Sequence, residues 1–113
     1  MTPVEFRRHL HRHPELSFRE TESARFIAEA LREAGIPCRP IAGTGVLAKI
    51  EGRGDLRRAV VLRADIDALP IREQSGAAWS SENDGVMHAC GHDIHAAVLY
   101  GTPVSYTHLR AHE

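Results

Sequence analysis

The hydrophobic period of this chain changes near residue 35, from a helical repeat to short β-type runs, and that change restricts it to a mixed α/β architecture. Before the change, Thr2, Pro3 and Glu5 form a capping box with proline at the first helical position, which predicts a helix to about residue 13, where Pro14 stops it. Ser17 and Glu20 repeat the capping signature. Ala24, Ile27, Ala28 and Leu31 then recur at helical spacing, so a second helix is expected to about residue 34, with Gly35 closing it. After the change, residues 46–50 and 59–62 are short, partly β-branched apolar runs separated by Gly52, Gly54 and Asp55, which predicts two strands joined by a turn. Residues 74–85 are polar and read as a loop, and residues 94–99 resume apolar character as the start of a third helix.

Composition excludes more than it selects. The 113 residues carry 14 Lys and Arg against 15 Asp and Glu, a net charge of -1, which offers no field for nucleic acid or an anionic membrane. Apolar stretches are only a few residues long, and residues 1–12 carry charge where a signal peptide needs its apolar run, so the expected compartment is the cytoplasm. In that redox setting Cys38 and Cys90 are expected not to pair, one packing in the fold and the other serving as a ligand.

The densest chemistry lies in His88-Ala89-Cys90-Gly91-His92-Asp93-Ile94-His95, just before the third helix. Thiolate and imidazole suit a borderline-soft divalent ion, and the glycine between Cys90 and His92 lets both turn toward one point. The same residues also fit a buried thiol beside surface histidines. Asp65 and Asp67, two apart at the end of the second expected strand, share one face of an extended chain, either as site carboxylates or as a solvated loop in which Asp65 pairs with Arg63. Gly43-Thr44-Gly45 precedes a strand and not a helix, so it reads as a tight turn in preference to a phosphate loop. His9 and His13 are spaced for a metal on one helix face, but Arg7, Arg8 and Arg12 repel a cation there, and a solvated basic face is expected.

Residues 6–18 (Phe-Arg-Arg-His-Leu-His-Arg-His-Pro-Glu-Leu-Ser-Phe), Gly43-Thr44-Gly45-Val46, residues 62–71 around Asp65 and Asp67, and residues 85–93 around Cys90 and His92 occur in this order. Together they resemble the opening of the M20 metallopeptidase family, in the amidohydrolase branch that includes hippurate hydrolase and hydrolases of indoleacetyl-amino acid conjugates. The likeness covers residues 4–101. It implies the N-terminal part of a two-metal, aminopeptidase-like catalytic domain, a mixed sheet flanked by helices, with dimerisation through a smaller domain not present in these residues. It implies that Cys90 and His92 are metal ligands and that Asp67 supports the site from behind. The wider family has His-x-Asp where this chain has Asp65-Ile66-Asp67, so no ligand duty carries over to Asp65. The resemblance places the remaining ligands, a glutamate and two histidines, and the glutamate general base later than residue 113.

The implied activity is metal-dependent hydrolysis of N-acyl amino acids, hippurate being the type, to a carboxylic acid and a free amino acid. Two divalent ions per intact subunit are implied, with Mn, Zn, Co and Ni not distinguished, and the present chain is expected to be inactive. Short peptides and diaminopimelate derivatives are alternative substrates within the family. A small stand-alone structural zinc module, closed by Cys90, His92 and nearby His88 or His95, is the alternative from another class. Residues 103–113 fit neither the preceding helix nor a strand. One permitted choice of their codons spells a transposase end running into a sequencing adapter, so residues 1–102 are expected to be native catalytic domain and 103–113 a non-native tail, with His108 and His112 set aside as ligands.

Overall fold

A computed structural model describes residues 1–110. The chain runs α1 (Pro3–Arg12), α2 (Thr21–Glu33), β1 (Cys38–Ile41), β2 (Gly45–Ala48) and α3 (His92–Arg110). α1 starts as its sequence dictates: Glu5 N–H donates to Thr2 Oγ1 at 3.1 Å, and Thr2 N–H donates to the Glu5 carboxylate at 3.1 Å. His13 closes the helix and Pro14 follows, fully buried.

α2 forms where its period predicts, but its cap is different. Ser17 does not cap it, and the helix begins at Thr21 without a side-chain bond from Glu20, its N-cap residue. The capping acceptor comes instead from Glu15, whose carboxylate takes the N–H groups of Ser23 at 2.6 Å and Glu22 at 3.3 Å. A carboxylate reaching in from the preceding turn satisfies the same orphan donors as a local cap and also suits the positive end of the helix dipole. Phe18, at φ 64, is part of the turn that brings Glu15 back. Gly35, at φ 78, ends the helix as expected.

β1 and β2 form an antiparallel hairpin with Cys38 opposite Ala48 and Ile41 opposite Gly45. Gly43 takes φ 82 in the connecting turn, and a side chain on Gly45 would meet the Ile41 carbonyl oxygen at 2.8 Å, so the Gly-Thr-Gly run is a tight turn. The expected pair of strands is therefore corrected. Residues 46–48 are strand, but their partner is 38–41 and not 59–62. Residues 59–62 have no ladder partner among the described residues, and Val60 and Val61 are exposed. A β-branched run becomes a strand only when another backbone lies beside it to take its N–H and C=O groups. Single bridges join Leu16 to Ala68 in parallel and Leu69 to Met87 in antiparallel fashion, tying the 68–69 segment to the rest.

The core is one cluster of Phe6, Leu10, Ala30, Leu31, Ile36, Ala96, Ala97 and Tyr100, in which the Phe6 and Tyr100 rings stack at 4.4 Å. α3 lies against α1, and α2 covers both strands. Residues 103–110, expected to leave the helix, continue it, with Pro103 inside and Val104 packed on the core cluster. Proline removes one backbone bond from a helix, and packing on either side holds this one together. His112 lies outside the described residues. No helix among them is long and apolar enough to cross a membrane. Because Thr2 makes both halves of the capping box, Thr2→Ala is expected to cost about 1 kcal/mol, a fall in Tm of roughly 4–8 °C by calorimetry for a chain this size.

Candidate metal centre

α3 begins at His92, immediately after Gly91, which takes φ 82. The N–H groups of Ile94 and His95 both return to the Gly91 carbonyl at 3.0 Å and close the first turn. Successive helical residues diverge by about 100°, so His92 and Asp93 face different parts of the molecule. His92 faces residue 67, and Asp93 faces α1.

His92 Nδ1 lies 2.9 Å from Asp67 Oδ1 and 3.1 Å from the Asp67 carbonyl oxygen. Both oxygens accept only, so Nδ1 carries a proton and donates, and in the neutral ring the lone pair is on Nε2. Cys90, two residues earlier, is an exposed free thiol, and the His92 and Asp67 side chains remain 22% and 27% exposed. Cys38 is also free but half-buried, with its Sγ 3.6 Å from the Ala28 carbonyl oxygen. Asp65 does not join Asp67. It is exposed and pairs with Arg63 at 3.1 Å, which is the solvated alternative of its two expected fates.

A reachable thiol, an imidazole with Nε2 available and a carboxylate behind that imidazole are the donor chemistry of a borderline-soft divalent ion. They make half a site. Among the described residues no group of three or more His, Cys, Asp and Glu could hold a metal ion. His95 is exposed, with its ring 6.0 Å from that of His92.

A second polar cluster, which the sequence reading did not single out, lies behind the first. His11 Nδ1 is 2.7 Å from Asp93 Oδ2 and its Nε2 is 2.9 Å from Glu73 Oε2, while Arg7 Nε donates to the same Asp93 oxygen at 2.7 Å. His11, Glu73 and Asp93 side chains are all within 5% of full burial. Burial raises the Glu73 carboxyl, but hydrogen bonds from Ser75, His11 and the Ser81 N–H outweigh it and hold it at about 2. His88 is buried beside this cluster, its ring 6.4 Å from that of His11, and neither of its nitrogens has a partner among the described residues. Burial is the chief cause that lowers its pKa, with the charges of His11 and His92 adding to it against Asp93 and Asp67.

The solvated basic face expected on α1 holds for the exposed Arg8 and His13 but is corrected in part by the same packing. Arg7 reaches Asp93, Arg8 lies 4.0 Å above the Trp79 ring, and His9 stacks on Phe26 at 3.8 Å. Burial, followed by the charges of His13 and Arg12, lowers the His9 pKa. Two arginines and a histidine thus find tertiary partners that helical spacing alone cannot reveal. For His11 the one sequence signal is its place beside Leu10 on the buried stripe of α1. Glu73, in a polar stretch, gave none.

The family described as Peptidase family M20/M25/M40 matches residues 61–112. The chain is 52% identical over 99 residues to the N-acetyl-L-cysteine deacetylase of Bacillus subtilis, covering 87% of this chain and 24% of that protein. It is 46% identical over 108 residues to an N-acyl-L-amino acid amidohydrolase of Geobacillus stearothermophilus, covering 95% and 29%. The crystal structure of the Bacillus subtilis YXEP protein, described as a dinuclear metal binding peptidase from the M20 family, superposes with a TM-score of 0.86 at 46% identity, over 96% of this chain and 31% of that one. The chain therefore spans about a quarter to a third of the length of these proteins.

The Glu73 cluster carries a pH signature. Its folded-state carboxyl titrates at about 2 against an ordinary value of 4.5, so its ionised form contributes stability that is complete above 4.5 and is lost as the pH falls toward 2. Thermal melts between pH 5 and pH 2 should show this decline, and Glu73→Gln should make it shallower; equal slopes for both proteins would contradict the assignment.

Proposed function

This chain belongs to the M20 peptidase family, in its amidohydrolase branch, and on that premise we propose that it is the N-terminal portion of a metal-dependent hydrolase that cleaves the amide bond of N-acyl amino acids. The observation that carries the reading is the Asp67–His92 hydrogen bond, with an exposed free thiol at Cys90, two residues before His92 in the chain. In this reading Cys90 and His92 are two ligands of a divalent ion and Asp67 is the residue that holds the His92 ring. Names of the relatives, a deacetylase of N-acetyl-L-cysteine and an N-acyl-L-amino acid amidohydrolase, support small acylated amino acids as the substrate class, hippurate among them.

When bound, a pair of divalent ions supplies an activated water and a polarised amide carbonyl. The residues of this chain do the rest of what falls to them. Asp67 accepts the hydrogen bond from the Nδ1–H, which fixes the tautomer and leaves Nε2 as the nitrogen that can bind an ion. The Cys90 thiol supplies its sulfur by losing a proton, so ion binding by this pair strengthens with rising pH. Gly91 permits the turn between them. The remaining ligands and the glutamate that takes the water's proton belong to later parts of the family's chain, as does the domain for homodimerisation. We place the intact protein in the cytoplasm, and residues 103–113 outside its native sequence.

A stand-alone structural zinc module is the weaker reading. Such sites are closed by four ligands, commonly in two separated pairs, whereas no group of three candidate ligands gathers among the described residues.

Two outcomes test the proposal. Purified chain should hydrolyse hippurate no faster than background; turnover abolished by a chelator would refute the division of the catalytic set. By calorimetric titration with Zn²⁺, the chain should bind weakly and more tightly at higher pH. Cys90→Ser or His92→Ala should remove most of that affinity, Asp67→Asn should lower it by about 10-fold, and Cys38→Ala should leave it unchanged. Equal losses at Cys38 and Cys90 would place the ion elsewhere.

A further inference from the structure

His11 is 82 residues from Asp93 and 62 from Glu73, yet it bridges them, and each carboxylate leads to a different half of the candidate centre. Through Asp93 the path is short. Asp93 is fully buried, sits next to His92 in the first turn of α3, and takes both the His11 Nδ1 contact and the Arg7 guanidinium on one oxygen. Whatever fixes Asp93 against α1 also fixes the backbone that carries His92.

Through Glu73 the path runs to the segment before Cys90. Glu73 Oε1 accepts the Ser81 N–H at 2.7 Å, and Ser81 Oγ donates to the Val86 carbonyl at 2.7 Å. Met87 follows, exchanging both backbone bonds with Leu69 at 2.9 Å, which sets the spacing between residue 67 on one side and residue 90 on the other. The 81–83 stretch is tied again to the end of α1 by the Glu82 N–H on the Arg12 carbonyl at 2.8 Å and by Asn83 Nδ2 on the Pro14 carbonyl at 3.1 Å.

We propose that His11 is a positioning residue of the metal half-site, held between Asp93 and Glu73 so that the segments bearing His92 and Cys90 are fixed relative to each other. This rests on the reading of Cys90 and His92 as ligands. His11 is not a ligand itself, because both of its ring nitrogens already face carboxylates and its side chain is 4% exposed. Its place between two carboxylates is what gives it this role. Without the ring the two carboxylates lose their shared partner and repel, and the turn and the loop they anchor separate.

The test uses the whole 113-residue chain with Co²⁺ alone as probe, reading the thiolate-to-cobalt absorbance for Cys90 and the ¹⁵N shifts of the His92 ring. In the parent, His92 should show the Nδ1–H tautomer before Co²⁺ is added. His11→Phe should average the two His92 tautomers and weaken Co²⁺ binding by about 10-fold, a typical loss for a residue that orients a ligand, while the helical circular dichroism persists. His11→Asn, whose amide nitrogen replaces the Nδ1 donor to Asp93, should recover most of the tautomer signal. Parental Co²⁺ affinity and tautomer in His11→Phe would overturn the proposal, and so would a His11→Asn variant no better than His11→Phe. If His11→Phe does not fold, Ser81→Ala cuts the same path at its far end in a surface loop; it should weaken the thiolate absorbance with Tm unchanged, and unchanged absorbance would overturn the proposal. Failure of the parent chain to bind Co²⁺ through Cys90 and His92 would refute the ligand reading itself, whereas normal parental binding with insensitive variants refutes only the role of His11.

Discussion

The contact on which this structure most depends is the His11 imidazole between the carboxylates of Asp93 and Glu73. Buried charges are costly unless each is paired and hydrogen-bonded, and a partial set is worse than none. Here Arg7 and His11 on α1 face Asp93 on α3 and Glu73 in the long loop, so elements far apart in sequence meet at one fixed geometry. The apolar cluster around Phe6, Leu10 and Tyr100 brings α1 and α3 together, but apolar contact is not directional. The polar cluster supplies the direction. It sets how α3 starts against α1, and so where His92 stands.

From that anchoring follows the division of labour between neighbouring residues. Asp93 is spent on packing, and His92, one residue earlier, is left for chemistry, with its ring held by Asp67. Cys90 stays exposed because Gly91 breaks the extended path just before the helix. Two carboxylates separated by one residue, Asp65 and Asp67, take different fates for a related reason. Asp67 lies beside the start of α3 and is drawn to His92, while Asp65 is exposed and pairs with Arg63.

His88 is buried with neither ring nitrogen partnered among the described residues, and Asp93 Oδ1 is likewise bare. Buried groups of this kind ordinarily find a partner. Both lie beside the cluster that joins α1 to α3 and close to the candidate ligands, the part of the fold where unsatisfied polar atoms carry the most energy.

The sequence by itself determined whatever depends on near neighbours. The capping box of α1, the stop at Pro14, the period of α2, the Gly-Thr-Gly turn and the Cys-Gly-His run are local, because caps, turns and helical faces involve residues within about four positions of one another. The family was legible too, since four ordered motifs survive in a short chain. Tertiary structure decided the rest. Residues 59–62 have strand composition but no strand partner among the described residues, because pairing depends on a second backbone that composition cannot supply. The acceptor at the start of α2 is Glu15 and not Ser17, because a folded-back turn outcompetes the local cap. His11 lies next to Leu10 on the buried stripe of α1, but only the approach of α3 and the 73–81 loop makes it the centre of a buried network: contacts spanning 62 and 82 residues leave no periodic trace in the sequence.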